Sequence, residues 1–580
     1  MRGGTAMKRD GLGWVIRLIG VIAISIAVAM PASATKVLNR GNGAEPKGLD
    51  PHQASGDPEN QILGDMYIGL YTEDIKGRPV LGAAEKVETS PDGLTWTFTI
   101  RDHKWSDGKP VTADDFVFAY RRILDPKIAS EYASILYPIK NAEKVNKGAG
   151  KVPLTELGVS APNPKTFVIQ LAHPAPYLPE MMTHYSTFPL PKHVVEKAGL
   201  GWTKAGVMVS NGPYMLAERR PFDRIKLVKN PFFYDAANVK IDEVYFYPTS
   251  DEAAALKRYR AGELDTIDRW PLAENKWLFA NIPNETRKYT GLRVLYTVFN
   301  TRKAPLNDRR VRLALAMAID RATIQKEVYF GVHGIVAENV LPPGMANADL
   351  SAKVPWSGKS MDERRTEAKA LLQAAGFGPG KPLKFTYNFL NRPDTKRNAI
   401  AMQSMWKQIG VEVELLAKDF AVHYDLLKTA NFDVSEAGWI FDYNDAQSVL
   451  FLFQSSTDQL NYPGYKNPAY DDLMAKAENE KDAATRGKYL GQAAGMLLND
   501  VAVAPSFFQF IRPLVKPYVL NWEESPRGVN RTRWLDIDDK SGSGATASGT
   551  SGGAQASEGG FWSWLGSWFS AEAWQKWWNS

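Results

Sequence analysis

Two hydrophobic periodicities alternate along the chain, and this mixture limits the fold more than any other feature of the sequence. Apolar residues at every second position, from Trp96 to Ile100 and from Val411 to Leu415, predict half-buried strands. Apolar residues at helical spacing predict helices over 308–330 and 362–375. No repeat of fixed period accompanies them. The mixture predicts α/β or α+β layers rather than a helical bundle or a sandwich.

Helix ends are marked by local signals. Residues Thr112 to Asp115 have the pattern of a capping box, which predicts a helix through Tyr120. Gly376 follows the helix predicted over 362–375, where a left-handed residue commonly ends a helix. A further helix is predicted to begin at 250–252 and to stop at Gly262.

The length of 580 residues exceeds what one hydrophobic core normally serves, and it predicts two to four domains. Hydrophobic residues make up 44% of the chain and aromatic residues 11%, which excludes disorder over most of its length. Lys and Arg number 70 against 64 Asp and Glu, and the two signs are interleaved rather than gathered into a basic stripe. We therefore expect no nucleic-acid partner.

The N-terminus has the layout of a secretory signal peptide. Lys8 and Arg9 precede an apolar run over 18–30, which is followed by Pro31 and the small residues 32–34. The run is shorter than the roughly 20 residues that span a bilayer, so cleavage after Ala34 is favoured over a retained anchor. The chain contains no cysteine, which excludes a lipid-bearing Cys, disulfides and thiolate chemistry. These features predict a protein free in a periplasm.

The C-terminal composition changes abruptly after the folded body. Residues 540–560 are rich in Gly and Ser and predict a flexible linker. Residues 561–580 hold six of the 17 tryptophans. Because Trp favours membrane–water boundaries, this tail predicts an interfacial helix or a partner-docking peptide, and the alternative is a tail without function.

Signals of catalysis are missing from the sequence. The seven histidines do not fall into metal-ligand spacing, and the sequence contains no nucleophile elbow, phosphate loop or dinucleotide fingerprint. Adjacent acids such as Asp114 and Asp115 are explained by a helix N-terminus. We therefore expect a binding protein, without metal or cofactor, rather than an enzyme.

Five short segments occur in an order that is typical of one family. They are LDPH (49–52), KWSDGKPVTA (104–113), NGPY (211–214), RYRAGELD (258–265), and AGW (437–439) continuing to DYND (442–445). With them the chain resembles the periplasmic oligopeptide-binding proteins of ABC importers, which are solute-binding proteins of family 5. The resemblance implies a two-lobed periplasmic-binding-protein-like α/β fold with an inserted third domain (type II, cluster C).

The resemblance also implies an organisation of the mature chain. The first lobe would be built from three separate stretches, with one domain inserted and the second lobe continuous. The implied ranges are 35–67, 205–300 and 510–539 for the first lobe, 68–204 for the inserted domain and 301–509 for the second lobe. The sequence itself adds the signal peptide (1–34), the linker (540–560) and the tail (561–580).

The family captures an extended peptide as an added strand between the lobes, and main-chain hydrogen bonds give affinity without selecting a sequence. The resemblance places the carboxylate that receives the peptide's α-ammonium at Asp442, where a charge-assisted bond contributes about 1.5–3 kcal/mol. The alternative for Asp442 is a turn carboxylate that caps Tyr443 or Asn444.

Other ligand contacts are implied by position. Gly438 and Ile440 match strand residues whose backbone pairs with the peptide, and Gly56 and Asp57 would lie on the opposite strand in the first lobe. Three aromatic side chains match positions that line the site, and ordinary core packing is the alternative for each: Trp439, Phe420 and Tyr132.

One departure from the family bears on specificity. Well-known oligopeptide receptors carry an arginine for the ligand's C-terminal carboxylate where this chain has Glu436, and like charges repel. Either another cation takes the carboxylate, with Lys396 and Arg397 as candidates, or the ligand carries a positive group. Asp57 adds a second acid, so a cationic or amine-bearing ligand is one hypothesis.

The resemblance thus implies a monomeric receptor that closes around an oligopeptide and presents it to an ABC permease in the inner membrane. A receptor of the same fold for a murein fragment, an opine-like conjugate or an oligosaccharide is the first alternative. An envelope interaction protein attached to a membrane surface by residues 561–580 is the second.

Overall fold

The computed structural model describes residues 35–538, apart from 149 and 346. The predicted signal peptide (1–34), the linker (540–560) and the tail (561–580) lie outside the described residues. Within them, no helix combines the length and apolar character needed to cross a membrane.

The described residues form twenty strands. They are β1 (Val37–Gly41), β2 (Tyr71–Glu73), β3 (Pro79–Leu81), β4 (Ala84–Thr89), β5 (Thr95–Ile100), β6 (Val159–Asn163), β7 (Thr166–Gln170), β8 (Tyr214–Arg220), β9 (Arg224–Lys229), β10 (Glu243–Tyr247), β11 (Thr266–Ile267), β12 (Tyr289–Phe299), β13 (Gly334–Val336), β14 (Leu383–Leu390), β15 (Val411–Lys418), β16 (Val434–Ile440), β17 (Val503–Ile511), β18 (Leu514–Val515), β19 (Val519–Leu520) and β20 (Asp536–Ile537).

The α-helices alternate with these strands. They are α1 (Asp57–Met66), α2 (Ala113–Leu124), α3 (Ala142–Lys147), α4 (Leu178–Met181), α5 (Lys192–Ala198), α6 (Glu252–Arg260), α7 (Asn275–Asn281), α8 (Arg309–Met317), α9 (Arg321–Thr323), α10 (Met361–Ala374), α11 (Pro393–Lys407), α12 (Phe420–Lys428), α13 (Gln447–Leu450), α14 (Pro468–Asn479) and α15 (Ala483–Asp500).

Several local predictions are confirmed. The alternating segments form β5 and β15, and the capping box starts α2, with the Thr112 backbone N–H donating to the Asp115 carboxylate at 2.9 Å. Gly376 follows α10 with a φ of +88°. The helix predicted over 308–330 is interrupted instead. It stops at Met317, because the Asp320 carboxylate accepts the Thr323 N–H and starts a new helical turn.

Two six-stranded sheets form the two lobes. The first has the order β18-β11-β1-β10-β9-β8, in which β1 is parallel to β10 and β11. The second has the order β13-β17-β12-β16-β14-β15, in which β12 is antiparallel to both neighbours. The chain crosses from the second sheet to the first between Ile511 and Leu514. A four-stranded antiparallel sheet, β4-β5-β7-β6, belongs to the region predicted as the inserted domain.

The sheet pairing moves one predicted boundary. The first lobe was expected to include residues up to 300, but β12 is hydrogen-bonded between β16 and β17 in the second sheet. The eleven residues of β12 therefore belong with the second lobe. Their near-continuous burial has the same reason, since a strand in the middle of a sheet is covered on both faces.

The apolar core has two parts. One is continuous from the first sheet into the four-stranded sheet, so the inserted region has no separate core of its own. The other surrounds the second sheet and includes α6 and α7. Tyr443, from the second lobe, joins the first of these cores.

Candidate functional site

The site is built around the free edge of β16. Ile440 lies opposite Arg293 on β12, and the next residue, Phe441, donates its N–H to Leu292 at 3.0 Å. In an antiparallel pair this makes Gly438 and Ile440 non-hydrogen-bonded positions, whose N–H and C=O groups point away from β12. On that side β14 pairs with β16 only at residues 434 and 435 within the described chain. The strand thus presents backbone groups to a further strand.

Position 438 has no room for a side chain, because Leu295 and Val294 of β12 lie too close. A Cβ atom at this position would lie 2.6 Å from Cδ2 of Leu295 and 3.1 Å from the carbonyl oxygen of Val294. The glycine therefore has a packing reason within the sheet, in addition to the close ligand approach that the sequence suggests.

A cavity of about 90 Å³ lies beside this edge and draws residues from both lobes and the inserted domain. Five of the predicted residues line it: Gly56, Asp57, Tyr132, Ile440 and Asp442. The hydroxyl of Tyr132 donates to Oδ1 of Asp442 at 3.3 Å, across 310 residues of sequence. The cavity thus joins parts of the chain that closure of two lobes would bring together.

Asp442 is the half-buried acid of this cavity. Its backbone N–H donates to the hydroxyl of Ser448 at 3.0 Å, which fixes the residue after β16. Burial raises the pKa of Asp442 to about 7, although Arg527 and the Tyr132 hydroxyl act in the opposite direction. A carboxylate that burial makes costly to ionise gains most from an incoming cation.

The first-lobe side of the cavity differs from the prediction in its local structure. Gly56 and Asp57 were expected on a strand, but Gly56 is the N-cap and Asp57 the first residue of helix α1. Asp57 forms an ion pair with Arg293 at 3.3 Å. The second acid that the sequence suggested for a cationic ligand therefore already has a cationic partner.

Sequence reasoning missed several lining residues. Arg527, His184, Tyr185 and Asn60 also face the cavity. Arg527 is held by Glu73, whose carboxylate it reaches at 2.8 Å and which also pairs with Arg531 at 2.7 Å. These partners are more than 450 residues apart in sequence, so no local pattern indicated them.

Two predicted aromatic residues lie away from the cavity. Trp439 faces the opposite side of β16 from Gly438 and Ile440, and its ring meets Phe451 edge-on at 6.0 Å between centroids. Phe420 is 66% exposed at the start of α12, and its ring centroid lies 4.8 Å from that of Tyr424.

Glu436 lies further along the edge of β16, and its carboxylate is hydrogen-bonded within the protein. Its Oε1 accepts the N–H of Leu390 at 2.7 Å. Burial raises the pKa of Glu436 to about 7, while the Leu390 N–H and the charge of Arg392 lower it. The guanidinium that acts on Glu436 is thus that of Arg392, and not the predicted Lys396 or Arg397. Lys396 is exposed on α11, and Arg397 lies 5.9 Å from the ring centroid of Phe330.

A free strand edge that ends at a carboxylate, inside a cavity between lobes, suits capture of an extended ligand. The family described as "Bacterial extracellular solute-binding proteins, family 5 Middle" matches residues 78–461. The chain belongs to this family. The resemblance to periplasmic oligopeptide-binding proteins is therefore confirmed.

Relatives within this family cover almost the whole described chain. The periplasmic oligopeptide-binding protein OppA of Salmonella typhimurium is 39% identical over 513 residues, which are 87% of this chain and 93% of that protein. The structure of Haemophilus influenzae OppA in complex with RPPGFSPFR is 34% identical, with a TM-score of 0.80 over 87% of this chain and 99% of that one. The predicted two-lobed fold is confirmed by this family 5 neighbour.

Two structures of a third relative match the chain to different extents. The murein tripeptide binding protein MppA of Escherichia coli is 35% identical and matches with a TM-score of 0.80, over 87% of this chain and 99% of that one. Its unliganded open form, with 98% of its chain covered, matches with only 0.70. The described chain is therefore more similar to the OppA peptide complex than to the unliganded open form of MppA.

Proposed function

We propose that this protein is a periplasmic receptor that captures oligopeptides and delivers them to the permease of an ABC importer. The observation that carries the proposal is the free edge at Gly438 and Ile440, which leads to the carboxylate of Asp442 in the interlobal cavity. A peptide added along this edge would place its α-ammonium at Asp442. The names of the OppA relatives support the same ligand class.

Closure is the proposed transport signal. Gly56 and Asp57 from the first lobe face Ile440 and Asp442 from the second across one cavity. A ligand that touches both sides binds the closed form better than the open form, and only such differential affinity shifts the population. We propose that the closed form is what the permease recognises and that the receptor acts as a monomer.

Calorimetry with tetra-alanine and N-acetyl-tetra-alanine tests the role of Asp442. The free amine should bind at least tenfold tighter than the acetylated peptide, because only the amine carries a charge for the carboxylate. Asp442→Asn should remove this preference. Asp425→Asn, on the exposed face of α12, is the matched control and should keep it.

Two results would count against the proposal. Equal affinity of the wild-type protein for both peptides would remove Asp442 from ammonium recognition. Full affinity in Asp442→Ala would favour a non-peptide solute such as an oligosaccharide or an opine-like conjugate, which needs no ammonium partner.

A cell-wall peptide is the second candidate ligand. The murein tripeptide binding protein MppA matches this chain with the same TM-score as the OppA peptide complex. Native mass spectrometry of the purified protein distinguishes the candidates, because a copurified ligand is identified by its mass. We propose binding alone and expect incubated peptide to be recovered intact.

The termini have proposed roles that depend on sequence. N-terminal sequencing of the exported protein should begin at Thr35 if the signal peptide is cleaved as predicted.

The tryptophans of residues 561–580 suggest contact with a membrane surface as a second function. Deletion of 541–580 should abolish sedimentation with phospholipid vesicles and leave tetra-alanine affinity unchanged, whereas equal sedimentation would refute the tail's role.

A further inference from the structure

Arg269 is a guanidinium without a direct partner in the region between the two sheets. It follows β11 of the first sheet, and its backbone forms a parallel bridge with Arg512 at the crossing from the second sheet. The side chain is half-buried, yet in the described part of the chain it makes no hydrogen bond or ion pair. A desolvated cation without a partner is costly, which indicates a site for an anion.

Charges of both signs act on Arg269, and several of them are already paired with one another. Burial lowers the pKa of Arg269, and the nearby guanidinium groups of Arg293 and Arg392 lower it further. Arg293 is paired with Asp57, and Arg392 is paired with Asp394 at 2.8 Å. The carboxylates of Asp57, Glu252 and Asp268 act on Arg269 only through space.

Arg392 and Arg512 add two further guanidinium groups to this region. Arg392 comes from the second lobe, and the Asp394 carboxylate takes its Nε and Nη2, so that Nη1 remains to donate. Arg512 is 4% exposed and donates Nη1 to the carbonyl oxygen of Trp270 at 3.1 Å. It also acts electrostatically on His333.

His333 gives an independent sign of a missing partner. The imidazole is 2% exposed and stacks on Tyr329 at 3.9 Å between ring centroids. Within the described residues, neither of its ring nitrogens has a hydrogen-bond partner. Arg269, Arg392 and Arg512 all act on this imidazole, so the unpaired polar groups lie in one region.

We propose that Arg269, together with Arg392 and Arg512, binds a carboxylate of the ligand while Asp442 holds the ammonium. The inference deepens the proposed function and rests on it. An arginine at position 436 is then not needed to bind the ligand's carboxylate, because Arg269 of the first lobe binds it instead. It also replaces the cationic ligand suggested by the sequence with a zwitterionic or acidic peptide, since Asp57 and Glu436 are satisfied by Arg293 and by the Leu390 N–H.

The carboxylate can come from the C-terminus or from an acidic side chain. Three probes distinguish these sources by calorimetry: tetra-alanine, tetra-alanine amide, and Ala-Ala-Glu-Ala amide. We expect the neutral-ended tetra-alanine amide to bind the wild-type protein at least tenfold more weakly than the better of the two anionic probes. Whichever anionic probe binds tighter identifies the source.

Arg269→Gln should reduce this preference to less than threefold, and Arg269→Lys should retain part of it because the charge remains. Arg397→Gln is the matched control on the second lobe and should keep the wild-type preference. Thermal unfolding of each variant shows whether it is folded, and binding of tetra-alanine amide should be nearly unchanged in Arg269→Gln.

Equal wild-type affinity for all three probes would overturn the carboxylate site and leave the peptide receptor intact. The same holds if Arg269→Gln keeps the full preference, or if Arg397→Gln alone loses it. No binding of any probe by the wild-type protein would overturn the proposed function itself, and this inference with it.

Discussion

The phenol ring of Tyr177 lies parallel to that of Tyr443, with 5.6 Å between the ring centroids and an interplanar angle of 4°. The guanidinium of Arg486 lies 4.9 Å from the centroid of Tyr177. Tyr177 belongs to the predicted inserted domain, whereas Tyr443 and Arg486 belong to the second lobe. None of the three lines the cavity, so this contact holds the lobes together without touching a ligand there.

Tyr177→Ala should weaken ligand binding by favouring the open arrangement. An aromatic pair contributes about 0.5–1.5 kcal/mol beyond its buried area, so the affinity for tetra-alanine should fall about 2- to 10-fold. Calorimetry measures the change, and stopped-flow fluorescence should show faster dissociation. Tyr177→Phe is the control, because the Tyr177 hydroxyl has no partner among the described residues and the stacked ring is kept. An unchanged affinity in Tyr177→Ala would argue against the contact as a closing device.

Asp445→Asn should destabilise the fold strongly. Arg486 and Asp445 form a two-bond ion pair at 2.7 and 2.9 Å, and both side chains are 1% exposed. Removing one partner leaves a buried charge uncompensated, which costs about 3–5 kcal/mol of the free energy of unfolding. Urea unfolding measures this loss. Lys86→Ala, which breaks an exposed pair with Glu88, should leave the free energy of unfolding nearly unchanged, because solvent screens that pair. Similar losses for the two variants would contradict the prediction.

Peptide affinity should fall as the pH falls through 7. Burial raises the pKa of Asp442 to about 7, so below that pH an incoming ammonium must displace a proton. Because the peptide's own α-ammonium is partly deprotonated at pH 8, the affinity for tetra-alanine should be about four- to fivefold lower at pH 6 than at pH 8. Burial lowers the pKa of His184 well below its usual range, so that neighbour stays neutral throughout. Calorimetry at several pH values measures the profile.

Two variants check that Asp442 causes this pH dependence. Asp442→Asn should bind weakly and with a nearly flat profile. Tyr132→Phe removes a donor to the ionised carboxylate, so it should raise the pKa of Asp442 and move the loss of affinity to higher pH. A wild-type profile that is flat between pH 6 and 8 would be inconsistent with Asp442 as the ammonium partner.

Gly438→Ala should destabilise the second sheet by about 1–3 kcal/mol, because the added methyl group overlaps the side chain of Leu295. The cost should be smaller in a Leu295→Ala background, where the overlapping atoms are gone. A double-mutant cycle in urea unfolding measures this coupling. Additive effects of the two substitutions would show that the backbone carbonyl of Val294, rather than Leu295, limits this position.

The sequence by itself determined the local elements and the family. Alternation predicted β5 and β15, a capping box placed the start of α2, and Gly376 marked the end of α10 to within a residue or two. These features depend on neighbours a few positions apart, whose interactions act in any tertiary context. The family resemblance also predicted that Asp57, Tyr132 and Asp442 share one site, because motifs in the family's order indicate the family's fold.

Tertiary structure alone decided which residues face one another across that topology. Arg527 meets Glu73, Tyr177 meets Tyr443, and Arg269 lies beside Arg512 without a direct side-chain partner among residues 35–538. Alternation places a side chain on one of two faces of a strand, but what covers each face depends on long-range packing. For that reason Trp439 could be placed on a strand from the sequence, while the side of the sheet on which it packs could not.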